Sequence, residues 1–203
     1  MYIPKYYQMT DYEEIKKFMR AHPFATLVTM NGVKPIATHI PVMVEEREDG
    51  LYLLGHLAKR NEQVKTLHEN DQVLTIFRGP HDYISSTWYA EEDVPTWDYQ
   101  SVHTYGTSRI LSFDELATAL EKLLDYYEGH KENGATWDRL SEQTKKQIHG
   151  IQGFEVKVTE IEAAYKLSQT RSEQDKDNIA NQLIQTGNDD AVRLADEIKR
   201  QYE

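Results

Sequence analysis

Phe24-Ala25-Thr26-Leu27-Val28-Thr29-Met30, Asn31-Gly32, then Val33-Lys34-Pro35-Ile36-Ala37-Thr38-His39-Ile40-Pro41-Val42-Met43-Val44: this stretch decides the fold. Its first seven residues are β-branched, aromatic or apolar, and Asn-Gly is the strongest short hairpin signal, so residues 33–44 are expected to return as a second strand. Along that strand the even positions Ile36, Thr38, Ile40, Val42 and Val44 are mostly apolar and point inward. The odd positions are Pro35, Ala37, His39 and Pro41. Alternate residues of an antiparallel strand aim their backbone groups at the same side. Two prolines of equal parity therefore remove two donors from one side. That side is either an ordinary exposed edge or a backbone turned to a ligand, with small Ala37 letting a flat ring come close.

Working outward, Thr10-Asp11-Tyr12-Glu13 has the form of a capping box opening a helix that His22-Pro23 stops. Residues 45–50 read as a charged turn, 51–56 as a third strand and 61–70 as a short helix with Val64 and Leu67 inward. Residues 72–77 read as a fourth strand broken by Gly79-Pro80, 83–88 as a fifth, and 102–111 as a sixth after an aromatic loop. Ser112-Phe113-Asp114-Glu115 is a second capping box, whose helix turns Leu116, Leu120, Leu123, Leu124 and Tyr127 inward and ends near Gly129. Residues 136–148 are weakly helical. Phe154, Val156 and Val158 alternate with polar residues in a last strand running to about residue 167. Polar helices split at Gly187-Asn188 follow. Hairpin-connected strands, a helix pair and a long last strand make an α+β protein built on a small antiparallel barrel.

Of 203 residues none is cysteine, which excludes disulfides, thiolate metal sites and cysteine catalysis. The net charge of −11 is opposite to that of proteins gripping phosphate backbone. The start lacks a signal-peptide pattern, and no apolar run approaches the ~18 residues of a membrane helix, so a cytoplasmic protein is expected.

Two segments carry candidate chemistry. Gly55-His56-Leu57-Ala58-Lys59-Arg60-Asn61-Glu62-Gln63 runs from a strand end into a helix start, where free amides and a basic pair suit an anion; the plainer reading makes Lys59 and Arg60 solvated loop residues. Tyr83, Trp88, Tyr89, Trp97, Tyr99 and Tyr105 crowd one segment among polar residues, which suits an interface or a planar ligand, or else a core cluster. There is no HExxH, GxSxG, P-loop or GxGxxG, and zinc chemistry is not expected.

Several words of this sequence resemble the PaiB-type FMN-binding proteins, which in bacilli are named as negative regulators of protease synthesis and sporulation. They are residues 24–29, Ala37-Thr38-His39-Ile40-Pro41, Gly55-His56-Leu57-Ala58-Lys59, Gly79-Pro80-His81-Asp82-Tyr83-Ile84-Ser85, Val94-Pro95-Thr96-Trp97-Asp98-Tyr99 and Lys166-Leu167-Ser168-Gln169. The resemblance implies a split β-barrel of the flavin reductase and pyridoxamine-phosphate oxidase type over residues 1–171, with a C-terminal helical arm over 172–203. It implies a homodimer holding flavin between subunits. Thr38, His39 and Pro41 would then face the isoalloxazine, and His56, Ala58, Lys59, Asn61 and Gln63 the ribityl phosphate. Trp88, Tyr89, Trp97 and Tyr99 would close over the site, and Gln169 and Arg171 would make second-side contacts.

Four functions are compatible with this reading. The first is an FMN-binding regulator acting through a small molecule or protein partner, since the charge argues against direct DNA binding. The second is a flavin-dependent oxidoreductase, in which the cofactor carries the chemistry. The third is a haem protein, with His39, His56, His81 or His103 as an axial ligand. The fourth is a dimer without cofactor.

Overall fold

The hairpin at residues 24–44 forms, one residue out of step with its turn signal. In the computed structural model, which describes residues 1–69 and 72–201, β1 (Phe24–Asn31) pairs antiparallel with β2 (Lys34–Pro41), Asn31 opposite Lys34. The loop pair is Gly32-Val33. Only Gly32 has positive φ (60°), the type II′ pattern rather than the type I′ that Asn-Gly signals. The second strand does not run through to residue 44. It ends at Pro41, and β3 (Met43–Arg47) begins after the single residue Val42, whose N–H makes a last bond in the β1–β2 register, donating to Pro23 O at 2.9 Å. Glu45, Glu46 and Arg47, expected in a turn, pair with Tyr52, Leu51 and Gly50 of β4 (Gly50–Ala58), leaving only Glu48-Asp49 to turn.

The sheet order is β2-β1-β5-β6-β7-β4-β3, with β5 (Gln72–Ile84), β6 (Thr96–Ile110) and β7 (Ile151–Lys166) in the middle. Its two end strands are joined through Val42 alone. A seven-strand order whose ends are one residue apart must curl back on itself, which is how an antiparallel split barrel arises. The fold class expected from the sequence holds.

By packing the chain divides into two units. One comprises Pro23–Ile76 and Thr104–Ile161 and contains barrel segments of all seven strands; the other comprises Met1–His22, Phe77–His103 and Glu162–Glu203. The barrel unit buries Leu27, Leu53, Phe154 and Val156. Gly55 lets Phe154 approach, since a Cβ there would lie 2.9 Å from its Cζ. It also holds α2 (Gln63–Glu69), shorter at its start than expected, with Leu67 buried; the expected end at residue 70 lies outside the described residues. Next comes α3 (Phe113–Glu128), opened by the expected Ser112/Glu115 capping box. Only Leu116 of its expected inward set is buried; Leu120, Leu123 and Leu124 are half-buried and Tyr127 is exposed. Residues 136–148 are not one helix but two 3-10 turns around α4 (Glu142–Lys145), because Ser141 caps a new start.

In the other unit, α1 (Tyr12–Ala21) is capped by Asp11, which accepts from Glu14 N–H at 3.0 Å, one residue later than the expected box. The expected fourth and fifth strands are one strand, β5. Gly79-Pro80 does not break it, because Gly79 serves a close contact in which a Cβ would sit 2.6 Å from a ring carbon of Phe18. Residues 86–88 form a 3-10 turn instead of strand. β6 begins at Thr96, absorbing part of the expected aromatic loop. α5 (Glu173–Gln185) and α6 (Asp189–Arg200) flank Gly187, φ 69°, and bury Ile179, Leu183, Leu194 and Ile198.

Candidate functional site

The first candidate surface lies in the barrel unit, where β2 is the end of the sheet. A proline fits a paired strand only with its ring nitrogen on the unpaired side. Pro35 and Pro41 therefore turn the odd set, including the backbone N–H and C=O of Ala37 and His39, away from β1. His39 is exposed and stands opposite Thr26, with Nδ1 2.9 Å from Thr26 Oγ1; its Nε2 has no partner among the described residues. The Phe24 ring lies 6.3 Å from it.

Thr38, half-buried, is tied to the segment after β4. Asn61 Nδ2 donates to Thr38 Oγ1 at 3.0 Å, and Asn61 Oδ1 accepts from Gln63 N–H at 2.9 Å. The Gln63 side chain is 1% exposed, and its Nε2 donates to Leu27 O (3.0 Å) and Ile36 O (3.3 Å). Just before them, Ala58, Lys59 and Arg60 are exposed, and neither cation has an ion-pair partner among the described residues. The structure thus gathers Thr38, His39, Asn61 and Gln63 at the β2 edge, with Lys59 on the same turn of chain as Asn61.

His56 and Pro41 meet elsewhere in this unit. They line a cavity of about 10 Å³ with Met43, Leu54 and Leu116, room for one water at most. Burial pushes the His56 imidazole below its ordinary pKa, which favours the neutral form. A larger cleft, about 330 Å³, lies among β3, β6, β7 and α3. Its cations are all committed. Arg47 grips Glu45 and Glu155, Arg109 grips Glu155 and Glu115, and Lys122 pairs with Glu45 at 2.6 Å. The Arg109 bonds hold the Glu115 carboxyl down to about 2.

The remaining expected site residues belong to the other unit. Arg171 stacks 3.9 Å over the Tyr89 ring and pairs with Asp93 at 2.6 Å. Gln169 accepts from Leu167 N–H at 2.8 Å and donates to Tyr165 O, so both ends of its amide are spent on its own loop. Trp88 and Tyr99 are half-buried, and Trp97 is 54% exposed between the His81 and Tyr83 rings. Sequence reasoning missed Asp98, 1% exposed. Its Oδ2 accepts from Ser168 Oγ at 2.6 Å while Oδ1 has no hydrogen bond, and Lys166 Nζ stands 3.5 Å away. Burial raises its pKa against the pull of Ser168 and Lys166. Ser168 holds a left-handed φ of 56°, the one such residue besides glycines among the described residues. The alternation of buried Asp98 and Gln100 with Trp97 and Tyr99 was the available signal.

No helix among the described residues is long and apolar enough to cross a membrane. Comparison with known proteins places these features in context. The family described as "Putative FMN-binding domain" matches residues 1–160. A Bacillus subtilis (strain 168) protein named protease synthase and sporulation protein PAI 2 is 46% identical over 206 residues, spanning 99% of this chain and 100% of that protein. Among solved structures, the flavocytochrome Anf3 from Azotobacter vinelandii superposes with a TM-score of 0.65 at 17% identity, over 86% of this chain and 77% of that one. The FAD and haem binding protein from Mycobacterium smegmatis gives 0.62 at 16%, over 86% and 79%.

Proposed function

Because this chain belongs to the PaiB-type FMN-binding family, we propose that it binds FMN at the barrel unit's β2 edge. The ring lies against Thr38 and His39, and the phosphate is held at Ala58, Lys59 and Asn61. One observation carries the reading: two exposed cations without ion-pair partners among the described residues stand in a chain of net charge −11, and Asn61 ties that turn to Thr38 on a strand whose backbone donors face outward. A phosphate brings about two negative charges for Lys59 and Arg60 to meet, and the outward N–H groups of Ala37 and His39 suit the carbonyls of a flat ring. Bound FMN supplies one- and two-electron chemistry; the chain's part is to orient it.

The test is a fluorescence titration with FMN and with riboflavin. Lys59→Ala weakens FMN about tenfold, close to 1.4 kcal/mol, and leaves riboflavin unchanged. Equal affinity of the unaltered protein for both flavins removes the phosphate role.

The same reading gives a homodimer, for which the exposed Tyr126 on α3 (63%) offers apolar surface, and regulation of protease synthesis and sporulation through a small molecule or protein partner. Tight sequence-specific DNA binding in a gel shift rejects the partner route. Reduction of bound flavin by NADH or NADPH moves the protein to the oxidoreductases. A haem reading rests on His39, whose Nδ1 is anchored by Thr26 while Nε2 stays open, as an axial ligand requires. An intense Soret band with added haem, lost in His39→Ala, selects it over FMN.

A further inference from the structure

We infer that Gln63 is a positioning residue for the β2 edge: it sets the strand against which a flat ligand is read and touches neither ring nor phosphate. The inference rests on the FMN reading for its ligand, but its geometry is independent of it. Leu27 stands opposite Thr38, and Thr29 opposite Ile36, in the β1–β2 register. The Gln63 amide donates to the carbonyls of Leu27 and Ile36, so it spans the two strands one step from Thr38. Asn61 holds Thr38 itself. The two residues thus grip β2 at 36 and 38, on either side of Ala37, whose backbone faces the open edge.

The grip is buried, and it is one-sided: Nε2 makes both bonds while Gln63 Oε1 has no hydrogen bond. Gln63 is 1% exposed, its own carbonyl accepts from Thr66 Oγ1 at 2.8 Å, and Thr66 meets Thr29 Oγ1 of β1 at 2.6 Å. A side chain so enclosed cannot reach a ligand on the exposed side of β2. The carbonyls of Leu27 and Ile36 lie in the β1–β2 ladder, so the Gln63 bonds are second bonds to them; removing both unties the start of α2 from the two strands, and the edge is then free to shift. Because a one-step error in strand position moves every outward backbone group together, the loss is felt by the ring before the phosphate.

The test uses the full chain with Gln63→Met, which keeps length and burial, and Asn61→Ala, which acts on the same strand from a half-buried position. Three quantities are read: FMN and riboflavin affinity, the visible band of the bound flavin, and amide hydrogen exchange at Ile36 and Thr38, whose N–H groups face β1. The expected result for Gln63→Met is an equal loss for FMN and riboflavin, about tenfold, with a shifted visible band and faster exchange at those two amides. Asn61→Ala also speeds exchange there but, as it removes a phosphate contact too, weakens FMN more than riboflavin. Loss confined to FMN makes Gln63 a phosphate contact and overturns the inference. Unchanged affinity despite faster exchange overturns it too, as does unchanged exchange. If the unaltered protein binds neither flavin, the FMN reading fails by itself, while the exchange measurement still decides whether Gln63 sets the strand.

Discussion

Glu155 and Asp98 are both buried carboxylates, 7% and 1% exposed, one in each unit, and they are served very differently. Glu155 accepts from Arg47 Nη1 at 3.0 Å and from Arg109 Nε and Nη2 at 3.0 and 2.8 Å. Asp98 has one hydroxyl, Ser168, and a lysine held at 3.5 Å because Lys166 spends donors on Thr96 Oγ1 and Trp97 O. A guanidinium fork reaches a carboxylate from a neighbouring strand in a fixed plane, whereas an ammonium is a point charge that other oxygens can draw away. Glu155 is fixed between two guanidinium groups; the Asp98 carboxyl is raised above its ordinary pKa by burial.

The contrast can be broken most forcibly at the locked end. Glu155→Ala removes three charged hydrogen bonds from Arg47 and Arg109, which keep Glu45 and Glu115, and about 3 kcal/mol of stability is lost, a figure held down because both arginines stay partly exposed. Urea unfolding measures it, and a loss under about 1 kcal/mol denies the lock. Ser168→Ala should come next, at about 1–3 kcal/mol, for it strips Asp98 of its hydrogen bond. If Ser168→Gly is instead neutral, relief of the left-handed φ offsets that loss. Asp98→Asn is sharper in sign than in size. The folded-state pKa of Asp98 is raised above 3.8, so its folded form binds the proton more tightly, and stability gains as pH falls through that window. The variant lacks this gain, and its stability relative to the unaltered protein is lower at pH 4 than at pH 7. Parallel pH profiles contradict the assignment. Smallest is Arg109→Lys, expected to cost about 1 kcal/mol or less at a half-exposed position.

Much of the fold was legible because its signals are local. The hairpin turn, the Ser112/Glu115 box and the Gly187 split all act within a few residues. What was not legible depends on distant partners. Gly79-Pro80 reads as a breaker until Phe18 is seen against Gly79. Trp97 to Gln100 read as loop because Asp98 and Gln100 are polar, and their partners Ser168 and Glu197 lie far along the chain. Residues 45–47 read as turn because the charge that Arg47 meets on Glu155 is a hundred positions away. At the site, residue types alone marked the basic pair Lys59-Arg60 and the strand carrying Pro35 and Pro41, and the family resemblance added Thr38, His39, Asn61 and Gln63; nothing in a sequence distinguishes a glutamine beside a ligand from one buried beneath a strand.

The two prolines of β2 have a consequence for how the chain reaches this fold. The β1–β2 and β3–β4 hairpins are local and close quickly, whereas β4 must wait for β7, Tyr52 opposite Lys157, across a loop of roughly a hundred residues. During that wait the nascent barrel is an unfinished sheet with bare edges, the state from which chains aggregate. Pro35 and Pro41 leave one of those edges without two of the donors that a foreign strand would need, so the residues that shape a binding edge in the finished protein also act as gatekeepers before it is finished.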